Sequence, residues 1–165
     1  MNIQKRIEPK PGQESVWDYP RPPRLEKTNA QIKIIFNKVL IADSTNTYRV
    51  LESSHPPVYY IPPDDIQMKY LLDDKGHTLC EWKGLAHYFS IDVKGKRIRK
   101  VAWYYPNPYP AFDEIKNYLA FYPEPMDACL VNGEKAKSQP GGFYGGWITN
   151  NIVGPFKGEA GTMFW

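Results

Sequence analysis

The chain contains only two cysteines, Cys80 and Cys129, in 165 residues. It has no Cys-x-x-Cys, no His-x-x-x-His, no Gly-Lys-Ser/Thr phosphate loop and no Gly-x-Ser-x-Gly elbow. A metal site of familiar ligand spacing, a phosphate-binding loop and an α/β-hydrolase nucleophile therefore have no sequence support. His55, His77 and His87 are scattered, so no metal and no cofactor is expected. No apolar run approaches the roughly 20 residues that span a bilayer. The start, Met1-Asn2-Ile3-Gln4-Lys5-Arg6, has no apolar stretch behind its positive charges. The expectation is a cytoplasmic protein with no membrane partner and reduced cysteines.

Charge of one sign is also scarce, with a net charge of +3. The densest basic stretch, Lys94, Lys96, Arg97, Arg99 and Lys100, splits between two strand faces and suits a solvated hairpin edge. Nucleic acid is not an expected partner.

What the chain has in abundance is aromatic residues, 15% of the total, and 16 prolines. Aromatics favour strands, while proline cuts strands short and forbids long helices. The pattern predicts an all-β fold of short strands. Residues 1–30 read as a Pro-rich arm docked through Trp17 and Tyr19, residues 31–137 as the body, and residues 138–165 as a Gly- and aromatic-rich tail packed on it. Strands are predicted at Gln31–Phe36, Val39–Ala42, Thr47–Glu52, Val58–Ile61, His77–Trp82, Leu85–Val93, Lys96–Tyr105, Leu119–Tyr122 and Asp127–Val131. Asn37-Lys38, Lys94-Gly95 and Asn132-Gly133 are the hairpin turns. Ala111–Tyr118 is the one helix candidate, with Phe112, Ile115 and Leu119 on its buried face. Asp64-Asp65 falls in a loop and Asp73-Asp74 at a turn.

Four stretches carry residues of chemical type. In Glu52-Ser53-Ser54-His55-Pro56-Pro57-Val58-Tyr59-Tyr60, a His-Pro-Pro turn fixes an imidazole that can act as base or donor, with Glu52 to orient it. A turn in which His55 only bonds to backbone fits the same residues. In Thr78-Leu79-Cys80-Glu81-Trp82-Lys83-Gly84, Gly84 permits a bend that aims Lys83, while Cys80 suits either a reactive thiol or, more commonly, a small buried hydrophobe. Ala102-Trp103-Tyr104-Tyr105-Pro106 and Ala120-Phe121-Tyr122-Pro123 are aromatic strand ends closed by proline, able to wall a ligand slot or to fill the core.

These ordered motifs, from Glu52-Ser-Ser-His55 through Ile66, Cys80-Glu-Trp-Lys-Gly84 with Ala86-His-Tyr88, Ala102-Trp-Tyr-Tyr-Pro106 and Phe121-Tyr-Pro123, resemble the domain-of-unknown-function 427 family over residues 31–135. The tail, Gly141-Gly-Phe-Tyr-Gly-Gly-Trp147, looks like a bacterial subgroup of it. The resemblance implies a β-tent-like fold, two antiparallel sheets meeting at an angle. Many β-tent relatives pin their sheets with zinc on Cys-x-x-Cys pairs. That pin is expected to be absent here. The family also carries a nucleotidyltransferase label, a chemistry that needs carboxylates to hold Mg²⁺, for which Asp64-Asp65 and Asp73-Asp74 are the adjacent acidic pairs.

The expectation is a small-molecule-binding protein or enzyme, monomer or homodimer, with an aromatic-lined pocket for an anionic or planar ligand. His55, Lys83 and Glu52 would carry any chemistry, and Tyr59, Cys80, Tyr88, Trp103, Tyr105 and Tyr122 would form the walls. An interaction module built on arm and tail, and nucleotidyl transfer, are the alternatives.

Overall fold

A computed structural model describes residues 6–165. In chain order its strands are β1 (Glu14–Ser15), β2 (Arg24–Thr28), β3 (Ile32–Phe36), β4 (Val39–Ser44), β5 (Thr47–Leu51), β6 (Val58–Tyr60), β7 (Leu71–Cys80), β8 (Gly84–Val93), β9 (Lys96–Tyr104), β10 (Ala120–Phe121), β11 (Ala128–Val131), β12 (Glu134–Lys135), β13 (Lys137–Ser138), β14 (Trp147–Ile148) and β15 (Ile152–Val153). The fold is all-β. Among the described residues the strands divide into three principal antiparallel sheets and two small ribbons. The sheets run β10-β9-β8-β7, β12-β11-β3-β4 and β2-β5-β6. The third sheet arises because the chain breaks at Thr45-Asn46, where the Ser44 hydroxyl accepts the Asn46 N–H at 3.0 Å. That side-chain bond replaces a ladder bond and sends β5 into a new sheet.

Three tight hairpins set the register. In each, both loop residues have positive φ: Asn37 and Lys38 (47° and 65°), Lys94 and Gly95 (52° and 82°), Asn132 and Gly133 (49° and 84°). This is the type I′ geometry whose twist matches paired strands. The flanking pairs are Phe36 with Val39, Val93 with Lys96, and Val131 with Glu134.

Strict alternation on β3 buries Ile32, Ile34 and Phe36, which meet Ile91, Val93 and Val101 of the β8–β9 hairpin. Trp147 belongs to this core. It is 1% exposed, and its indole N–H donates to the Phe121 carbonyl at 3.0 Å. A second cluster is largely aromatic and includes Tyr60, Tyr88, Trp103 and Tyr105. A third joins the arm to the tail through Val16, Tyr19 and Ile152. Trp17 donates to the Pro155 carbonyl at 2.9 Å, and β1 pairs in parallel with β15.

Three principal sheets stand where the sequence reading expected two, and three stretches of the chain also differ from it. The segment at 111–118 is not an α-helix but a kinked 3-10 run, Pro110–Ile115, with Phe112 outside helical geometry. Lys116 ends it by leaving helical geometry to bridge with Tyr105, and the expected face of Phe112, Ile115 and Leu119 is nonetheless buried. Asp73-Asp74 is not a turn but lies within β7. Arg99 grips the Asp74 carboxylate at 2.7 Å and the Lys100 N–H donates to it at 3.1 Å. Residues 24–28 already form β2, paired along β5 ahead of Gln31. Arg49 of β5 anchors this edge, donating to Glu26 at 2.6 Å and to Glu14 at 2.9 Å.

Two outcomes are expected. Trp147→Ala leaves a large hole in the main core and costs about 3–5 kcal/mol in chemical denaturation. Lys38→Gly relieves a lysine held in left-handed geometry at an exposed turn, and raises stability by about 1 kcal/mol in the same assay.

Candidate functional site

Between β5–β6 on one side and β7–β9 on the other lies a cavity of about 280 Å³, roofed by the tail. The sheets supply Tyr60, Thr78, Cys80, Tyr88 and Trp103. The loops supply Glu52, His55, Lys83, Tyr105 and Tyr122, and the tail supplies Phe143, Tyr144 and Lys157. Eight of the nine residues singled out in the sequence line it: His55, Lys83, Glu52, Cys80, Tyr88, Trp103, Tyr105 and Tyr122. Tyr59 does not. Strand alternation turns it to the opposite face, where it packs on Trp147 at 5.0 Å, and Tyr60 takes the cavity side.

His55 sits in a turn held from both ends. Its N–H donates to the Glu52 carbonyl at 3.0 Å, and the Ser54 N–H donates to Val16 of the arm at 3.1 Å. The ring is oriented by Gln139, a residue the sequence reading did not single out. The Gln139 oxygen accepts the Gly146 N–H at 3.1 Å, so the amide nitrogen points the other way. That nitrogen donates to the Lys157 carbonyl at 2.9 Å and meets His55 Nδ1 at 3.0 Å. Nδ1 is thus the acceptor, and the imidazole proton rests on Nε2. Glu52, expected to orient the ring, stands 3.6 Å from Nε2 and is shared with Arg21 at 3.3 Å. Burial, reinforced by the nearby cations Lys157, Arg21 and Lys83, lowers the His55 pKa to about 4. At neutral pH His55 is an uncharged donor rather than a base.

Lys83 occupies the three-residue loop joining β7 to β8. Gly84 makes that loop possible, with a φ of 117° and with Asn107 O only 3.3 Å from where a Cβ would stand. The Lys83 carbonyl accepts the Tyr109 N–H at 2.9 Å, so the Pro-rich loop clamps it from outside. The side chain is buried, 9% exposed. Its ammonium lies 6.0 Å from the Tyr105 ring centre and 5.9 Å from that of Phe112. Among the described residues no carboxylate comes within 4 Å of it. Burial works against the charge, but Tyr60, Cys80 and Glu52 outweigh it and hold the Lys83 pKa above the ordinary lysine value.

The phenols of Tyr60, Tyr105 and Tyr122 are pushed up, chiefly by burial, and stay protonated. The Trp103 indole donates to the Tyr60 oxygen at 3.2 Å, which leaves the Tyr60 proton for another partner. Tyr144 meets the His55 ring edge-on at 4.9 Å, and Lys157 sits 5.5 Å above Tyr144. A second cavity of about 620 Å³ lies behind Thr78, Tyr88, Tyr122 and Phe143. That partition is pinned by Thr78 to Tyr88 at 2.7 Å and by Tyr122 to the Phe143 carbonyl at 3.0 Å.

The adjacent acidic pairs lie elsewhere. Asp64 and Asp65 line a shallow depression beside β4, with Asp65 accepting from Ser44, and Asp74 is committed to Arg99. Among the described residues no three His, Cys, Asp or Glu side chains converge on a point that could hold a metal. No helix among them is long and apolar enough to cross a membrane.

Compared with known families, residues 24–132 match the one described as domain of unknown function (DUF427). No curated protein matches the chain. The match covers β2 to the turn after β11, so Gln139, Tyr144, Trp147 and Lys157 lie beyond it.

The neutral His55 has a consequence for stability. The unfolded chain takes up a proton on His55 as pH falls through 6.5, whereas the folded chain resists until about 4. Folding stability therefore declines across that window, by about 3 kcal/mol from this group. Urea denaturation at pH 7, 5.5 and 4 should show the decline, and His55→Gln should flatten it.

Proposed function

We propose that this chain, which belongs to the domain of unknown function (DUF427) family, binds a small planar anion in the cavity between β5–β6 and β7–β9. The observation that carries this reading is the Lys83 ammonium, buried at the cavity wall among rings with no carboxylate beside it. Taking an ammonium out of water costs several kcal/mol even after relaxation. Two rings near 6 Å return about 2 kcal/mol, and the Glu52 carboxylate acts only from beyond 4 Å and is shared with Arg21. A folded chain that keeps such a charge is short of a counter-ion, and a bound anion supplies it.

The remaining walls suit the same ligand. Trp103, Tyr105, Tyr88 and Tyr122 offer ring faces and edges for a flat group. The hydroxyl of Tyr60 and the Nε2–H of His55 are donors, which match an anion's lone pairs. Trp17, Tyr19 and Trp147 of the arm and tail pack inward, while Phe143 and Phe164 of the tail stay exposed.

The test is a thermal-shift series with benzoate and other aromatic carboxylates, against benzamide as the uncharged match. The carboxylates raise the melting temperature, by the equivalent of about 2.7 kcal/mol at a hundred times the dissociation constant, and the amide does not. Lys83→Met abolishes the ligand effect while leaving the empty protein as stable or more so, since a buried charge is replaced by an apolar chain of similar length. A shift that is equal for benzamide, or that survives in Lys83→Met, rejects the proposal.

A further inference from the structure

We infer that Cys80 is a nucleophilic thiol of this cavity and that the site captures an aromatic aldehyde as a reversible thiohemiacetal. The inference rests on the ligand site proposed above and adds to it a covalent bond and a substrate class.

The two cysteines occupy opposite environments. Cys129 is sealed in the main core, and burial pushes its thiol up, which makes it inert. Cys80 ends β7, is half-buried and lines the cavity. It pairs with Gly84 across the hairpin, so the three-residue loop carrying Lys83 closes directly over it. Lys83, nine-tenths buried and with no carboxylate within 4 Å, lines the same cavity.

Lys83 itself is an unsuitable nucleophile, because its charge is held by its neighbours and an ammonium has no lone pair. Tyr60, Tyr105, Lys83 and His55 line the same cavity as the thiol and bring O–H and N–H groups to it. A ring of donors around a nucleophile stabilises negative charge developing on an oxygen, the requirement of addition to a carbonyl. Cys80 Sγ forms a bond to the aldehyde carbon. The C=O π pair moves to oxygen, held by Lys83 and the Tyr60 hydroxyl, and the proton lost from sulfur ends on that oxygen. The step is a net addition of S–H across C=O, with no leaving group and no change of oxidation state. The aromatic ring of the aldehyde lies against Trp103 and Tyr105.

The experiment uses the full chain and benzaldehyde labelled with ¹³C at the aldehyde carbon. The expected result is that the labelled signal moves from the aldehyde to the hemithioacetal region on adding protein. It stays put with Cys80→Ser and moves normally with Cys129→Ser. Iodoacetamide alkylates Cys80 at least about tenfold faster than Cys129, and the aldehyde slows that reaction. Lys83→Met weakens capture and Lys83→Arg retains it, which separates a donor role from simple packing. An unmoved signal in a protein that still shows the benzoate thermal shift overturns the covalent inference and leaves the ligand site standing. A signal that moves in Cys80→Ser assigns the bond to another group and overturns it equally. Loss of both the benzoate shift and the aldehyde signal removes the site itself.

Discussion

The side-chain amide of Gln139 is the constraint on which the site's arrangement depends. It makes three contacts in three directions, to the Gly146 N–H, the Lys157 carbonyl and His55 Nδ1. Because its oxygen is already taken, its nitrogen has no choice of partner, and the imidazole tautomer follows. The same amide ties the tail segment at 146 to that at 157, so the roof of the cavity and the protonation of its histidine are set together. Gln139 is 3% exposed, and a buried amide left half-satisfied would cost more than the bonds gain. That asymmetry is what makes the arrangement single-valued.

The electrostatics of the cavity follow from burial more than from ion pairs. Desolvation penalises whichever form of a group is charged. It keeps the tyrosines protonated and His55 neutral, which turns both into donors at ordinary pH. Lys83 is the exception, since its neighbours hold the proton on against burial. The result is a pocket of fixed donors with Lys83 buried in its wall, Lys157 in its roof and Glu52 shared with Arg21. Contrast Arg49, equally shielded but satisfied by Glu14 and Glu26 on two sides. The two buried cations among the described residues thus serve different ends. The paired one fastens the arm and β2 to the body, and the one without a carboxylate faces the cavity.

The sequence was most legible where local chemistry decides geometry. Asn-Gly, Lys-Gly and Asn-Lys dipeptides between alternating runs have few options besides a type I′ turn, and all three hairpins formed with the expected tips. Most wall residues were legible because they stand at strand ends bounded by Pro or Gly, where side chains must leave the ladder. What failed was what distance decides. Asp73-Asp74-Lys75-Gly76 has the composition of a turn, yet Arg99, some 25 residues on, draws Asp74 into a strand. Tyr59 and Tyr60 are chemically alike, and only the phase of β6 distinguishes the core face from the cavity face. Gln139 and Lys157 carry no local signal, because their partner His55 is 84 residues away from Gln139 along the chain.

That division also explains how the chain is built around its family match. Residues 24–132 contain two of the three hairpins, Lys83, Cys80, His55 and most of the rings, hence the walls and floor. The tail that follows supplies Tyr144 and Lys157 over the opening, and inserts Trp147 into the main core. It can approach so closely because Gly145 leaves no side chain, where a Cβ would fall 2.5 Å from the Trp103 ring. A segment so fastened cannot be a detachable appendage: removing it would expose core as well as open the cavity. Its contribution to binding and its contribution to folding are therefore joined. A tail of different sequence laid over the same walls would change what fits the cavity only if it still buried an equivalent of Trp147.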